Sequence, residues 1–207
     1  MNGDKKEREE LSKKNDQLIM VVRRKHLFGE NGEDAFDGFR SHDIKDHSSH
    51  ILTNHGYISR KLAETDPNYK QPIAYVLLAN PLLKKVYLYQ RAIKDEEYNE
   101  KRLQGKYSIG VGGHIDLEDG DKTNPLHDSL FRELEEELGI SRNDISNLRV
   151  LGYINDDTNS VGQVHFGVLN LAETNLENVS PKGEMISGEF VDLNHLGEIV
   201  SNPNVSF

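Results

Sequence analysis

Cysteine is absent from the 207 residues. Its absence excludes disulfides, thiol nucleophiles and zinc–thiolate sites. Apolar residues are scarce at 35%, against 29% charged, so a core can form but much of the chain must be surface or loop. Positive charge is in deficit: 25 Lys and Arg against 35 Asp and Glu leave a formal charge of −10. Broad electrostatic binding to nucleic acid or anionic lipid is therefore not expected. A phosphate-bearing substrate stays open, because a divalent cation inverts the local field. Long apolar runs are missing as well. Stretches such as IAYVLLA are too short to span a bilayer, and the N-terminal MNGDKKEREELSKKND has no apolar h-region. The expectation is a soluble, cytoplasmic chain with one to one and a half domains' worth of residues.

What is present becomes legible along the chain. Residues 1–17 are almost wholly polar, a surface helix or a frayed tail. QLIMVVRRKHLF (17–28) reads as a strand rich in β-branched residues, and 29–39 as turn chemistry. Residues 41–55 carry His42, His47, His50 and His55; a polar loop or helix start explains them better than a metal site, for which no ligand signature is visible. From residue 73, IAYVLLAN and KVYLYQRA flank PLLK as a hairpin. A charged loop (94–106) precedes YSIGVGGHI, a short strand ending in glycines, and an acidic loop follows. A helix starts at Pro125 with Asn124 as its N-cap and stops at Gly139. Residues 147–154, 161–171 and 188–193 read as strands, followed by a short terminal helix. Strands around one strong central helix predict an α+β fold with a mixed sheet covered by helices.

The central helix carries the chemistry. Leu126, Leu130, Leu134 and Leu138, with Phe131, fall on one face. Glu133, Glu136 and Glu137 form an adjoining stripe, Glu137 at the margin of the apolar face, whereas Glu135 points elsewhere. Three ionised carboxylates so close repel one another, and one at a core margin is costly unless paired. A hard divalent cation such as Mg²⁺ relieves both costs, since it takes oxygen ligands and shares them with substrate phosphates. A solvated acidic face partnered by Arg132 is the competing explanation.

The flanks favour the cation. GGHIDLEDGDKTNPLHDSLFRELEEELGI resembles the Nudix box, G-x5-E-x7-R-E-U-x-E-E-x-G-U, where U is a bulky aliphatic. Arg132, Glu133, Leu134, Glu136, Glu137, Gly139 and Ile140 match its second half without a gap, seven defined positions in nine residues. The first half departs: 18 residues separate Gly113 from Arg132 where the pattern has 13, an insertion of five. The first box acid is Glu118 or Asp119. The resemblance spans roughly residues 70–200, and the chain looks like an uncharacterised bacterial branch of the family with an N-terminal extension. It implies a hydrolase domain over 70–207 preceded by an extension, 1–69, and an α/β/α sandwich.

The resemblance further implies metal-dependent hydrolysis of a pyrophosphate bond in a nucleoside diphosphate linked to another moiety, with Mg²⁺ or Mn²⁺. Glu136 and Glu137 would be metal ligands, Glu133 a ligand or base, the Gly113 carbonyl a further ligand, and Arg132 the partner that orients the glutamates. Some members place a base on a loop beyond the box, where Glu184 is favoured over Glu189. The mechanics stand without the family: cations neutralise an anionic pyrophosphate, metal-bound water has a lowered pKa, and a carboxylate can take its proton. On the substrate side, Arg102 and Lys106 could meet phosphates or be solvated loop charges, and Tyr153 or Phe166 could stack a base or pack in the core. The expected partner is a small nucleotide-type molecule, with a homodimer allowed and no membrane. A catalytically inactive, ligand-binding Nudix module is the alternative reading. An isomerase of the same fold is disfavoured by the missing cysteine.

Overall fold

The computed structural model describes residues 15–91, 105–121, 124–182, 185–203 and 205. Ten strands are named here β1–β10 and five helices α1–α5. The class is α+β, a mixed sheet with a few helices, as expected. Hydrogen-bonded neighbours follow the order β10-β5-β4-β9-β8-β2, with β1, β3, β6 and β7 off that path. The chain divides into two compact units. Of the described residues, the first holds those within 15–74, 113–129 and 150–169, the second those within 75–112, 130–149 and 170–205.

In the first unit, β1 (Leu18–Arg23) pairs antiparallel with β3 (His55–Ser59) and with the start of β4 (Tyr69–Asn80). Its apolar run is buried, Ile19 and Val21 packing with Ala63, Ile58 and Tyr69. The expected strand over 17–28 is corrected here. It stops at Arg23, and Arg24–Phe28 form a short helix, α1, that buries Leu27 and Phe28 and closes at Gly29, whose φ is 85°. A strand would place Leu27 and Phe28 on opposite faces, whereas a helical turn buries both together. The end of the stretch read as turn chemistry instead begins β2 (Gly38–Ser41), paired with β8 (Ile145–Asn155), and the segment 41–55, read as a polar loop or helix start, holds α2 (His47–Asn54). Asp46 caps α2, accepting hydrogen bonds from the Ser48 and Ser49 amides. A four-residue helix, α3 (Arg60–Ala63), follows β3.

In the second unit, the far end of β4 pairs with β5 (Lys85–Arg91) in the hairpin that the sequence marks, and β5 pairs with β6 (Tyr107–Ser108) and β10 (Met185–Asp192). Asn80 holds the hairpin turn, its side chain accepting from the Leu83 amide and donating to the Leu176 carbonyl. β7 (Gly110–His114) is the glycine-ended strand, α4 (Pro125–Leu138) the central helix, β9 spans His165–Thr174, and α5 (Leu193–Ser201) closes the order. No helix among the described residues is long and apolar enough to cross a membrane.

Candidate active site

The glutamate helix is built from local rules. Asn124 accepts from the His127 amide through both its carbonyl and its side chain, satisfying groups that an α-helix leaves open at its start. At the other end Gly139 adopts φ 66°, and the Gly139 and Ile140 amides donate back to the Glu135 and Leu134 carbonyls. Paired reverse bonds of this kind, with glycine in the left-handed region, terminate a helix. Leu126, Leu130, Leu134 and Leu138 are all buried, as the spacing requires.

That burial presents the acidic stripe at a defined angle. Arg132 donates from Nη1 to Glu133 Oε1 at 2.9 Å and to Glu136 Oε2 at 3.2 Å. The Glu133 side chain is only 12% exposed, whereas that of Glu136 is 60% exposed. Glu137 is half-buried and Glu135 exposed, so the two carboxylates that the wheel separates do part company. Glu137 acts electrostatically on Tyr89 of β5. Burial is the main reason that the Tyr89 phenol sits far above its ordinary value; the Arg91 guanidinium opposes the rise and the Glu137 carboxylate adds to it. The Tyr89 hydroxyl donates to the Gly110 carbonyl at 2.9 Å and accepts from Arg91 at 3.1 Å. The Glu137 carboxylate and the Arg91 guanidinium thus act on one buried phenol in opposite electrostatic senses. Sequence reasoning passed over the phenol and the guanidinium, although Tyr87, Tyr89 and Arg91 recur at every second position of β5 and so share a face.

Gly113 lies in β7 in the first unit, while the three glutamates lie on the part of α4 that belongs to the second. Arg102 and Glu184 fall outside the described residues. Lys106 is half-buried, and its carbonyl accepts from the Arg91 amide. Glu189 sits within β10, as read from the sequence. Between the two candidate box acids, Asp119 is buried and accepts from the Asp116 amide at 3.0 Å, and Glu118 is exposed.

Tyr153, offered as a base-stacking or a core residue, takes the core position. It is fully buried, stacked on Phe166, and its hydroxyl bonds Asp46, Ser48 and His42. Phe166 is equally buried. A ring with no open face has no room for a base, so the tyrosine serves packing instead. The histidines of 41–55 do not converge on one point. His42 bonds Tyr153, His55 bonds the Leu52 carbonyl, His50 is exposed, and His47 is buried.

The donor set of the stripe suits a hard cation. Every candidate ligand atom on it is a carboxylate oxygen, the type that Mg²⁺ and Mn²⁺ take. With Arg132 counted, three carboxylates and one guanidinium carry a net charge of −2 on one helix face.

No protein-family model matches the chain. Protein YmaB of Bacillus subtilis (strain 168) is 37% identical to it over 161 residues, 76% of this chain and 75% of the relative. The crystal structure of Tm1382, a proposed Nudix hydrolase, superposes with a TM-score of 0.70 at 28% identity, covering 88% of this chain and 89% of that one. A Nudix hydrolase from Alicyclobacillus acidocaldarius gives a TM-score of 0.52 at 16% identity over 67% of this chain and 85% of that one, a likeness of fold. The ungapped Arg132–Ile140 motif, its placement on a helix after a glycine-ended strand, and these likenesses agree. The chain belongs to the Nudix hydrolase family.

Proposed function

We propose that the chain hydrolyses a pyrophosphate bond in a nucleoside diphosphate linked to another moiety, using Mg²⁺ or Mn²⁺ held by Glu133, Glu136 and Glu137. One observation carries this reading. A single guanidinium, Arg132, braces two carboxylates of the stripe while Glu137 stands half-buried beside Tyr89. A merely solvated acidic face would not hold Glu133 largely buried next to two further carboxylates, because each adds repulsion in a less polar setting.

The bound cation would neutralise pyrophosphate oxygens and lower the pKa of a coordinated water. The remaining roles fall to this chain's side chains. Arg132 fixes the rotamers of Glu133 and Glu136, so their oxygens are aimed before any ligand arrives. Glu133, its side chain only 12% exposed, is the candidate to accept a proton from water. Tyr89, held neutral by burial, and Arg91 provide a phenol and a positive charge beside Glu137, and Arg91 is a candidate to meet a substrate phosphate.

The test is a screen of nucleoside diphosphate derivatives with Mg²⁺ or Mn²⁺, following phosphate or mononucleotide release. Turnover of one or more substrates that is lost in Glu137→Gln supports the reading. Binding without turnover by the folded, metal-supplied protein would favour the ligand-binding module.

A further inference from the structure

We infer that Glu64, His114 and His165 form a second metal site, one for a zinc-class transition ion, chemically distinct from the all-oxygen stripe on α4. The three come from separate parts of the first unit: Glu64 directly follows α3, His114 ends β7 and His165 begins β9. One ligand atom from each lies within 4.8 Å of the other two.

The spacing is that of a coordination shell. His114 Nε2 lies 3.4 Å from His165 Nε2 and 3.6 Å from Glu64 Oε1. A tetrahedral ion with bonds of about 2.0–2.1 Å sets its ligand atoms about 3.4 Å apart. A hydrogen bond would draw the two nitrogens closer, to about 3.0 Å. The third edge, from His165 to Glu64, lies within 4.8 Å, and Glu64 can close it further. Its side chain is 36% exposed, follows a four-residue helix, and touches Arg60 only at 3.5 Å.

The protonation pattern agrees. His165 Nδ1 is 2.7 Å from the Val161 carbonyl. A carbonyl oxygen can only accept, so Nδ1 carries the proton and the lone pair is on Nε2, facing His114. A backbone carbonyl on the far nitrogen is also the device that orients metal-binding histidines. His114 Nε2 in turn faces three acceptors: Gln71 Oε1 at 2.9 Å, the His165 lone pair and the Glu64 carboxylate. One proton cannot serve three acceptors, whereas one cation in its place can. The frame around the cluster is rigid. Ser129 donates to the His114 carbonyl, the buried Lys70 donates to the His165 carbonyl, and Gln71 is itself fully buried.

Two imidazoles and one carboxylate favour Zn²⁺ and its neighbours over Mg²⁺, and three protein ligands leave a fourth position for water or another ligand. The test loads the full-length chain with micromolar Zn²⁺ in millimolar Mg²⁺, which competes for the oxygen-only stripe. Gel filtration and elemental analysis then count the zinc retained. One equivalent is expected in the wild type and in Glu137→Gln, less than a tenth of that in His114→Gln and His165→Gln, and at least tenfold weaker binding in Glu64→Gln. Circular dichroism without metal checks each variant's fold. If a histidine variant fails to fold, Glu64→Gln, altered at a partly exposed position, decides. Absence of zinc from the wild type, undiminished zinc in the folded variants, or loss confined to Glu137→Gln would each overturn the site. None of these readouts depends on hydrolysis, so they stand or fall apart from the proposed activity.

Discussion

His47 should make the protein sensitive to mild acid. It begins α2 yet is fully buried, enclosed by Phe28, Phe36, Tyr153 and Phe166 at centroid distances of 6.4, 5.9, 4.9 and 5.5 Å. Among the described residues neither ring nitrogen has a hydrogen-bond partner. Burial pushes its pKa down to about 4 from 6.5, Lys45 and Arg40 push the same way, and Asp34 opposes them. Above pH 6.5 the ring is neutral in the folded and unfolded chain, and it adds nothing to the pH dependence. Below that, the unfolded chain takes up a proton that the folded chain refuses until about pH 4, so stability falls across this window and then levels off. At about pH 5 the loss from this group comes to about 2 kcal/mol, or a melting point lower by about 4–8 °C for a chain of this size. The assay is urea denaturation of the wild type and His47→Phe at about pH 7.5 and about pH 5. Carboxylates that titrate in both proteins cancel in the comparison, as does any fixed packing change from the larger ring. The wild type should lose about 2 kcal/mol more than the variant. Equal losses, within about 0.5 kcal/mol, would refute the reasoning.

Glu137→Gln should lower kcat on the best substrate from the screen by about a thousandfold, the cost of one charged ligand, with an unchanged circular dichroism spectrum; retention of more than a tenth of the activity would sink the assignment. Mg²⁺ or Mn²⁺ at about a hundred times its Kd should stabilise the wild type by about 2.7 kcal/mol, and Glu136→Gln should respond less; a melting curve indifferent to millimolar metal would return the stripe to a solvated face. Asp157→Asn should cost about 2 kcal/mol, below the ~3–5 kcal/mol of a fully buried pair, because Asp157 is partly exposed and Lys70, itself fully buried, keeps the Gly162 and His165 carbonyls. Hydrogen bonds from Arg24 and Lys70 hold the Asp157 carboxyl well below the usual range, so its contribution is present above about pH 4 and lost as pH falls below that; urea titrations at neutral pH showing less than about 0.5 kcal/mol would refute it. Gly139→Ala should destabilise by about 1–2 kcal/mol, the penalty for a side chain in the left-handed region, since φ there is 66° and the nearby Lys182 tip can move aside; an unchanged melting point would show that the helix end rearranges freely.

The sequence by itself determined what short-range physics decides. The limits of α4 follow from Asn124, Pro125 and Gly139, because capping and left-handed glycine act within one turn. Its buried leucines and adjoining glutamates follow from the 3.6-residue period, and the hairpin of β4 and β5 from apolar runs on either side of a turn. The Arg132–Ile140 motif, legible as spacing alone, was enough to indicate the family. Tertiary structure decided the rest. No local pattern distinguishes His47, buried in an aromatic cage, from His50, exposed three positions later; that depends on which rings the other strands bring to it. The helix over Arg24–Phe28 overrides a strand-like run because it buries Leu27 and Phe28 together. Tyr153 became core because its hydroxyl found Asp46 and Ser48, over a hundred residues away in sequence. Glu64, His114 and His165 stand about fifty residues apart with no motif between them; β7, which ends at His114, pairs with β4, whose Gln71 bonds His114 through its side chain and the Val164 carbonyl, next to His165, through its amide. Composition and periodicity carry energies felt over a few residues; the convergence of distant side chains is fixed by strand pairing, which a single sequence does not display.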